Sequence, residues 1–346
     1  MRTYLDYNAT APLRPEARNA MIAAMDLCGN PSSVHAEGRV AKGLVERARG
    51  QIAEALGASG ADIVFVSGAT EAAALILSGR GLKGAAIEHD AVRCWIEQDL
   101  SVDQRGLVSV LDPPRSVLQL ANSETGILQN LPKGLAVSDI SQGFGRVPFA
   151  FTWSGVEAVF LAAHKCGGPK GIGALVFPQG FDLAAQLKGG GQEMGRRAGT
   201  ENVAAIAGFG AAAQAAIRDL NEGVWDRVAE LRIILEKAIE ATSQDTTLVG
   251  KDTPRLPNTV CALTPAWKGE SQVMAMDLAG YAVSAGSACS SGKVRASATL
   301  MAMGFSEAEA ASAIRISLGP ETTQAEVLGF AQVWADKREK QRRRAA

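Results

Sequence analysis

Ile63-Val64-Phe65-Val66-Ser67-Gly68-Ala69-Thr70-Glu71-Ala72-Ala73-Ala74-Leu75-Ile76-Leu77 carries three signals in a row. The β-branched and aromatic run reads as a buried strand, serine and glycine as a turn, and the alanine- and leucine-rich remainder as a helix. Strand, glycine turn and helix start in succession point to an α/β chain. The junction also gathers free backbone N–H groups and the positive end of the helix dipole beside the Thr70 hydroxyl, which suits a phosphate. A serine or threonine at a helix start is more often only a cap, so the junction needs company before it means a ligand.

Company is found further on, in Val159-Phe160-Leu161-Ala162-Ala163-His164-Lys165-Cys166-Gly167-Gly168-Pro169. A short apolar strand that ends in His-Lys and a glycine-proline turn delivers a cation to a sheet edge. An amine held in partly apolar surroundings has its charged form disfavoured, which makes it a nucleophile toward an aldehyde. Alone, the segment reads better as a lysine leaving for water. Three more apolar runs end in polar tips: residues 85–89 in His89, 117–126 in Asn122 and Ser123, and 135–143 around Asp139. Open α/β sheets bind ligands at the carboxyl edge, where these tips collect. His89 alone would be a structural histidine and Asp139 a turn residue. Together with a phosphate seat and the lysine they describe pyridoxal 5'-phosphate, which needs a Schiff-base lysine, an acid for its ring nitrogen and a ring to stack on it.

Around this centre, Tyr4 to Pro12 reads as an extended arm and Pro15 as a first helical residue. After the turn Gly29-Asn30-Pro31-Ser32-Ser33, Val40, Leu44, Ala48, Ile52 and Leu56 recur at helical spacing. Residues 204–239 are also helical in pattern. A chain of 346 residues with 47% hydrophobic content buries a large core and is long enough for two domains. Its 35 basic and 36 acidic residues nearly cancel, so nothing in the balance calls for nucleic acid or a membrane surface. No apolar run reads as long enough to span a bilayer, the N-terminus shows no leader pattern, and the five cysteines are scattered, so a reducing, cytoplasmic setting is expected.

The order and spacing of Tyr4-Leu5-Asp6, Gly29-Asn30-Pro31-Ser32-Ser33, Ser67-Gly68-Ala69-Thr70-Glu71, Glu88-His89, His164-Lys165, Gly189-Gly190-Gly191-Gln192-Glu193, Arg197-Ala198-Gly199-Thr200-Glu201-Asn202, Gly286-Ser287-Ala288-Cys289 and Arg315-Ile316-Ser317-Leu318-Gly319 resemble the cysteine desulfurases. These form part of the class V aminotransferase family, within the fold type I pyridoxal-phosphate enzymes. The resemblance implies a large cofactor-binding domain over residues 13–220, with a mainly parallel sheet flanked by helices. It implies a smaller α/β domain built from residues 1–12 and 221–346.

The resemblance also implies residue roles. Lys165 would form the Schiff base, Asp139 would pair with the ring nitrogen, Gln142 would face the ring oxygen, and His89 would stack on the ring and carry protons. Ala69, Thr70 and His164 would hold the phosphate, with Thr200 supplied by the other subunit of a homodimer. Arg315 would clamp the carboxylate of L-cysteine, with Asn30 and Ser123 also on the substrate side. Cys289 would take the sulfur as a persulfide and pass it to an acceptor such as an iron–sulfur scaffold protein, and the long segment from Cys289 to Arg315 resembles the long-loop subgroup. The sequence departs from the family pattern at Ser123, where a second asparagine is usual, and at Ala162, where a phosphate-binding serine is usual. The spans from Leu77 to Ala85 and from Glu124 to Asp139 are also short, as if a covering helix were reduced in each. Another class V activity that does not need Cys289, or a noncatalytic relative, remains an alternative at this level. No metal site is expected.

Overall fold

The fold is that of a computed structural model, which describes residues 2–286 and 296–345. Cys289 lies outside the described residues. Thr3–Tyr4 (β1) begins the arm, and Pro15–Met25 (α1) follows with its proline in the first turn. Ala36–Ala55 (α2) leads to the junction, in which Ala61–Val66 (β2) turns into Ala69–Leu77 (α3). Lys83–Ala85 (β3), Asp90–Arg93 (α4), Glu97–Leu100 (β4), Val137–Asp139 (β5), Phe151–Ser154 (α5), Ala158–Ala162 (β6) and Gly173–Pro178 (β7) complete the first half.

The sheet order is β2-β7-β6-β5. β5 and β6 run parallel, and β7 runs against both of its neighbours. Parallel bridges from Val117 to Val137 and from Lys83 to Ser116 carry the pairing on to β3 and β4. This is the mainly parallel sheet the sequence implied. Gly173 shows why β7 fits beside the α3 turn: a Cβ there would lie 2.7 Å from the Leu161 carbonyl oxygen and 2.9 Å from Gly68 backbone atoms.

Val203–Asn221 (α6) and Val224–Thr242 (α7) replace the single helical stretch expected over 204–239. The break falls at Gly223, whose φ of 74° is left-handed and suits a residue without Cβ. By length and composition α6 could cross a membrane, contrary to the reading of the sequence. Its apolar surface is instead used in the core, where Ile206, Phe209, Ala212 and Ala213 are buried and where Gly208 meets Met21 of α1 and Gly210 meets Ala48 of α2.

The stripe assigned to α2 is also corrected. Val40 is half exposed, and the buried face is Ala41, Val45, Ala48, Ile52 and Ala55. Small residues face α6 because the two helices approach too closely for a larger stripe, as the 2.8 Å from a Gly210 Cβ to Ala48 Cα indicates.

Thr247–Leu248 (β8), Thr259–Leu263 (β9), Gly269–Asp277 (α8), Tyr281–Ala282 (β10), Ser284–Ala285 (β11), Ala298–Ala302 (α9), Glu307–Ala310 (α10), Ala313–Ser317 (β12) and Gln324–Ala345 (α11) make up the remainder. A second, antiparallel sheet has the order β11-β12-β9-β8, while β1 pairs in parallel with β10. The arm threads between these: Leu5 N–H donates to the Ala282 carbonyl and the Leu5 carbonyl accepts from Ser317 N–H. Its side chain is buried with Trp225, Leu235, Phe330 and Trp334, a cluster separate from the one that holds β2, β6, β7 and α6.

Candidate active site

β6 carries Leu161 and Ala162 into a single 3-10 turn, Ala163–Lys165, which places His164 and Lys165 at the carboxyl end of the strand. Lys165 Nζ donates to the carbonyls of Asn8 and Ala9 at 2.7 and 2.9 Å. Its amine is therefore held by the arm. His164 Nδ1 lies 3.2 Å from Thr10 Oγ1, another residue of the arm. Burial, and the nearby charges of Lys165, Lys170 and His89, pull the His164 imidazole down to about 4. It is neutral near pH 7.

β5 ends at Asp139, whose Oδ1 accepts from Ser141 N–H at 2.9 Å. Glu88 stands behind it, buried, with Oε1 accepting from Gln119 N–H at 2.8 Å and Oε2 unpartnered among the described residues. Burial pushes the Glu88 carboxyl up to about 8, and the Asp139 charge adds to the rise. His89 caps α4, with Nδ1 accepting from Ala91 N–H at 3.1 Å. The strand expected over 85–89 ends earlier, at Ala85, because residues 86–88 turn to set up this cap. Gln142 is buried and its Nε2 donates to the Asn8 carbonyl at 3.0 Å, the same oxygen that Lys165 uses.

Arg315, in β12, is buried and pairs through Nη2 with Asp6 at 2.8 Å. Nη1 donates to the Ser123 carbonyl at 3.0 Å, while Nε has no acceptor among the described residues. A guanidinium has five donors, so several remain for a carboxylate. Ser123 thus acts through its backbone: its carbonyl also accepts from Asn8 Nδ2 at 3.2 Å.

At the same carboxyl end of the sheet, beyond β7, Ala69 and Thr70 form the first turn of α3, where N–H groups have no helical acceptor. Ser67 N–H donates to Glu71 at 2.6 Å, and Glu71 pairs with Arg197 at 2.8 Å. This ion pair ties the segment bearing Thr200 to the turn, and Thr200 itself is exposed beside a cavity of about 250 Å³ shared with Phe65, Ser67 and Ile172. Asn30 is exposed too, with its Oδ1 accepting from Ser32 N–H at 2.9 Å.

The structure therefore draws together Lys165, His164, His89, Asp139 and Gln142, and places Arg315 next to the same arm. Asn30 and Thr200 are exposed, Thr200 in the cavity it shares with Ser67 and Ile172. The motifs include Glu88, Glu71 and Arg197 but assign them no role, and Asn8 and Arg146 were not singled out at all. For Arg146 the signal was its position four residues after Gln142; for Asn8 it was membership of the Tyr4 to Thr10 arm.

The residues fit pyridoxal phosphate. Gly173 leaves room for the Gly68 turn to present its amides, an aspartate and a lysine stand at adjacent strand ends, and Arg315 keeps an unpartnered buried donor.

A sheet-edge lysine with this surround belongs to a recognised class, and the sequence matches the aminotransferase class-V family over residues 3–92 and 117–330. The chain belongs to that family. Among its relatives is a protein named cysteine desulfurase IscS from Dictyoglomus turgidum, 35% identical, with 93% of this chain and 90% of the relative aligned. A protein named cysteine desulfurase from a Frankia species is 38% identical over 94% of this chain and 88% of its own. The solved structure of a NifS-like protein from Rickettsia africae superimposes with a TM-score of 0.89 at 32% identity, covering 98% of this chain and all (100%) of that one.

Proposed function

We propose that this protein is a pyridoxal-phosphate-dependent cysteine desulfurase that converts L-cysteine to L-alanine and passes the sulfur through Cys289 to an acceptor protein, such as an iron–sulfur scaffold. The observation that carries the reading is the Lys165 amine at the end of β6, held by the arm beside neutral His164 and one strand from Asp139.

The bound cofactor would supply an electron sink for the α-carbon of the substrate. Lys165 Nζ would hold the cofactor and then move the α-proton, a task for which a positioned amine is suited. Asp139 has Oδ1 committed to Ser141 N–H, which leaves Oδ2 to accept from the ring nitrogen. Gln142 would orient the ring oxygen, and His89 would stack on the ring and carry protons. The first-turn amides of Ala69 and Thr70, with His164, would take the phosphate. His164 offers a neutral hydrogen-bonding group there, since its charge is suppressed. Arg315 would hold the substrate carboxylate.

In the overall exchange the carbon–sulfur bond of the substrate breaks, a sulfur–sulfur bond forms on the Cys289 thiol, and hydrogen replaces sulfur on the product. No external oxidant enters this balance.

A homodimer is part of the proposal, with Thr200 and Asn30 facing the partner's site. Exposed Met25, Val34, Val40 and Met194 on the same outer segments support an apolar face between copies. A cytoplasmic location is supported by free cysteines at Cys28, Cys94, Cys166 and Cys261.

The test is production of alanine and sulfide from L-cysteine with a thiol reductant, by wild type and by Cys289→Ala. Equal yields from wild type and none from the variant, with cofactor still bound, bear the reading out. A cofactor-loaded wild type that releases no sulfide overturns it.

A further inference from the structure

The mechanism leaves Arg146, a deeply placed cation, unused. Arg146 is 3% exposed and has no carboxylate partner among the described residues. Its neutral acceptors are four oxygens: Nη1 donates to Asn8 Oδ1 at 2.6 Å and to Gln142 Oε1 at 3.0 Å, and Nη2 to the carbonyls of Tyr7 at 3.2 Å and Lys165 at 3.0 Å. Its guanidinium carbon also lies 5.8 Å from the centre of the Trp225 ring. A charge buried without a counter-ion is costly, and the fold alone gives no reason for it, because a neutral side chain of similar size could fill the space. The acceptors supply a reason. They are the arm, the main chain of the lysine turn and the glutamine assigned to the ring oxygen.

The planar fork joins these parts rigidly. Gln142 Oε1 points to Arg146, which fixes the amide so that Nε2 reaches the Asn8 carbonyl. Asn8 Oδ1 is taken by Arg146 and also by Asn258 Nδ2 at 3.1 Å, which fixes the Asn8 backbone whose carbonyl receives Lys165 Nζ. The Lys165 carbonyl is held directly.

We propose that Arg146 is a positioning residue that sets Lys165 and Gln142 in register for the cofactor, acting through Asn8 and through the lysine's own main chain; this rests on the reading of Lys165 as the cofactor lysine. Two properties do the work. The fork fixes geometry, and the charge biases the lysine-bound nitrogen against holding a proton.

The experiment uses the full chain, first freed of cofactor and then mixed with pyridoxal phosphate. Adduct formation at Lys165 is followed by borohydride trapping and peptide mass spectrometry, and the pH midpoint of the visible band is measured on the loaded protein. Arg146→Met is expected to slow trapping about 10–100-fold and to raise the midpoint, since a nearby cation has gone. Arg146→Lys keeps the charge without the fork, so trapping stays slow while the midpoint returns to that of wild type. Asn8→Ala also slows trapping and leaves the midpoint in place. If thermal unfolding shifts in these variants but trapping rate and midpoint match wild type, Arg146 is structural only and the proposal is overturned. Should Arg146→Met not fold, wild-type trapping rates in both Arg146→Lys and Asn8→Ala overturn it equally, and slow trapping in both supports it. Wild type that gives no adduct at Lys165 sinks the reading of the lysine itself, an outcome distinct from normal trapping in the variants.

Discussion

The Asn8 carbonyl oxygen lies 2.7 Å from Lys165 Nζ, so the first residues of the chain hold the amine on which its chemistry depends. Lys165→Ala is expected to leave the fold intact, since the lysine sits at a strand end and is not part of an apolar cluster. Alanine formation from L-cysteine should fall by about 10²–10⁴-fold, the usual loss for a proton-transfer group. Retained activity in the steady-state assay would show that another group carries the proton.

Arg315→Lys keeps a cation opposite Asp6 but loses the planar fork. We expect kcat/KM for L-cysteine to drop about 10–100-fold, matching the roughly 1.5–3 kcal/mol of a hydrogen bond to a charged group. An effect confined to thermal stability would mean that Arg315 serves only the Asp6 contact.

Gly173→Ala puts a methyl group against backbone on both sides, Leu161 and Gly68. Neither can yield as a flexible side chain would, and overpacking of this kind costs about 1–3 kcal/mol. Because Gly68 precedes the first turn of α3, pyridoxal-phosphate titration should show weaker binding as well as a lowered unfolding temperature. Unchanged cofactor affinity would place the phosphate elsewhere.

His164 and Glu88 give stability opposite slopes with pH. The folded His164 imidazole is depressed to about 4, so the unfolded chain takes up the proton first, and the stability it contributes is full above its ordinary 6.5 and lost as pH falls toward 4. Glu88 is raised to about 8 from 4.5, so the folded chain keeps a proton the unfolded one has released, and stability is lost as pH climbs from 4.5 to 8. Urea midpoints across pH 4–9 should flatten on the acid side in His164→Gln and on the alkaline side in Glu88→Gln. A variant whose profile parallels wild type removes that residue from the account.

Much of the site was legible because its signals are local. The Ser67 to Thr70 turn, the His164-Lys165 strand end and Asp139 each announce themselves within a few residues, and the sheet brings them to one edge. What escaped depends on distant partners. The stripe on α2 was right at Ala48, Ile52 and Leu56 but misplaced onto Val40 because composition favoured the larger residue, whereas the buried face begins at Ala41. The break at Gly223 was masked by helical periodicity on both sides. Arg146 has no part in any local motif, and only the fold shows that Tyr7, Asn8 and Lys165 surround it.

The arm has one more consequence, for the timing of assembly. Asn8 N–H donates to Ser317 Oγ and Leu5 bonds to Ser317, so these early residues wait for partners in β12. While the chain is still being extended, β2, β6 and α6 can collapse together and Gln142 and Arg146 can hold Asn8 beside Lys165, yet the Ser317 bonds to Leu5 and Asn8 wait for β12. The lysine end of the site is therefore closed by bonds within the first half of the chain, and its Arg315 side is added only when β12 takes its place beside the arm.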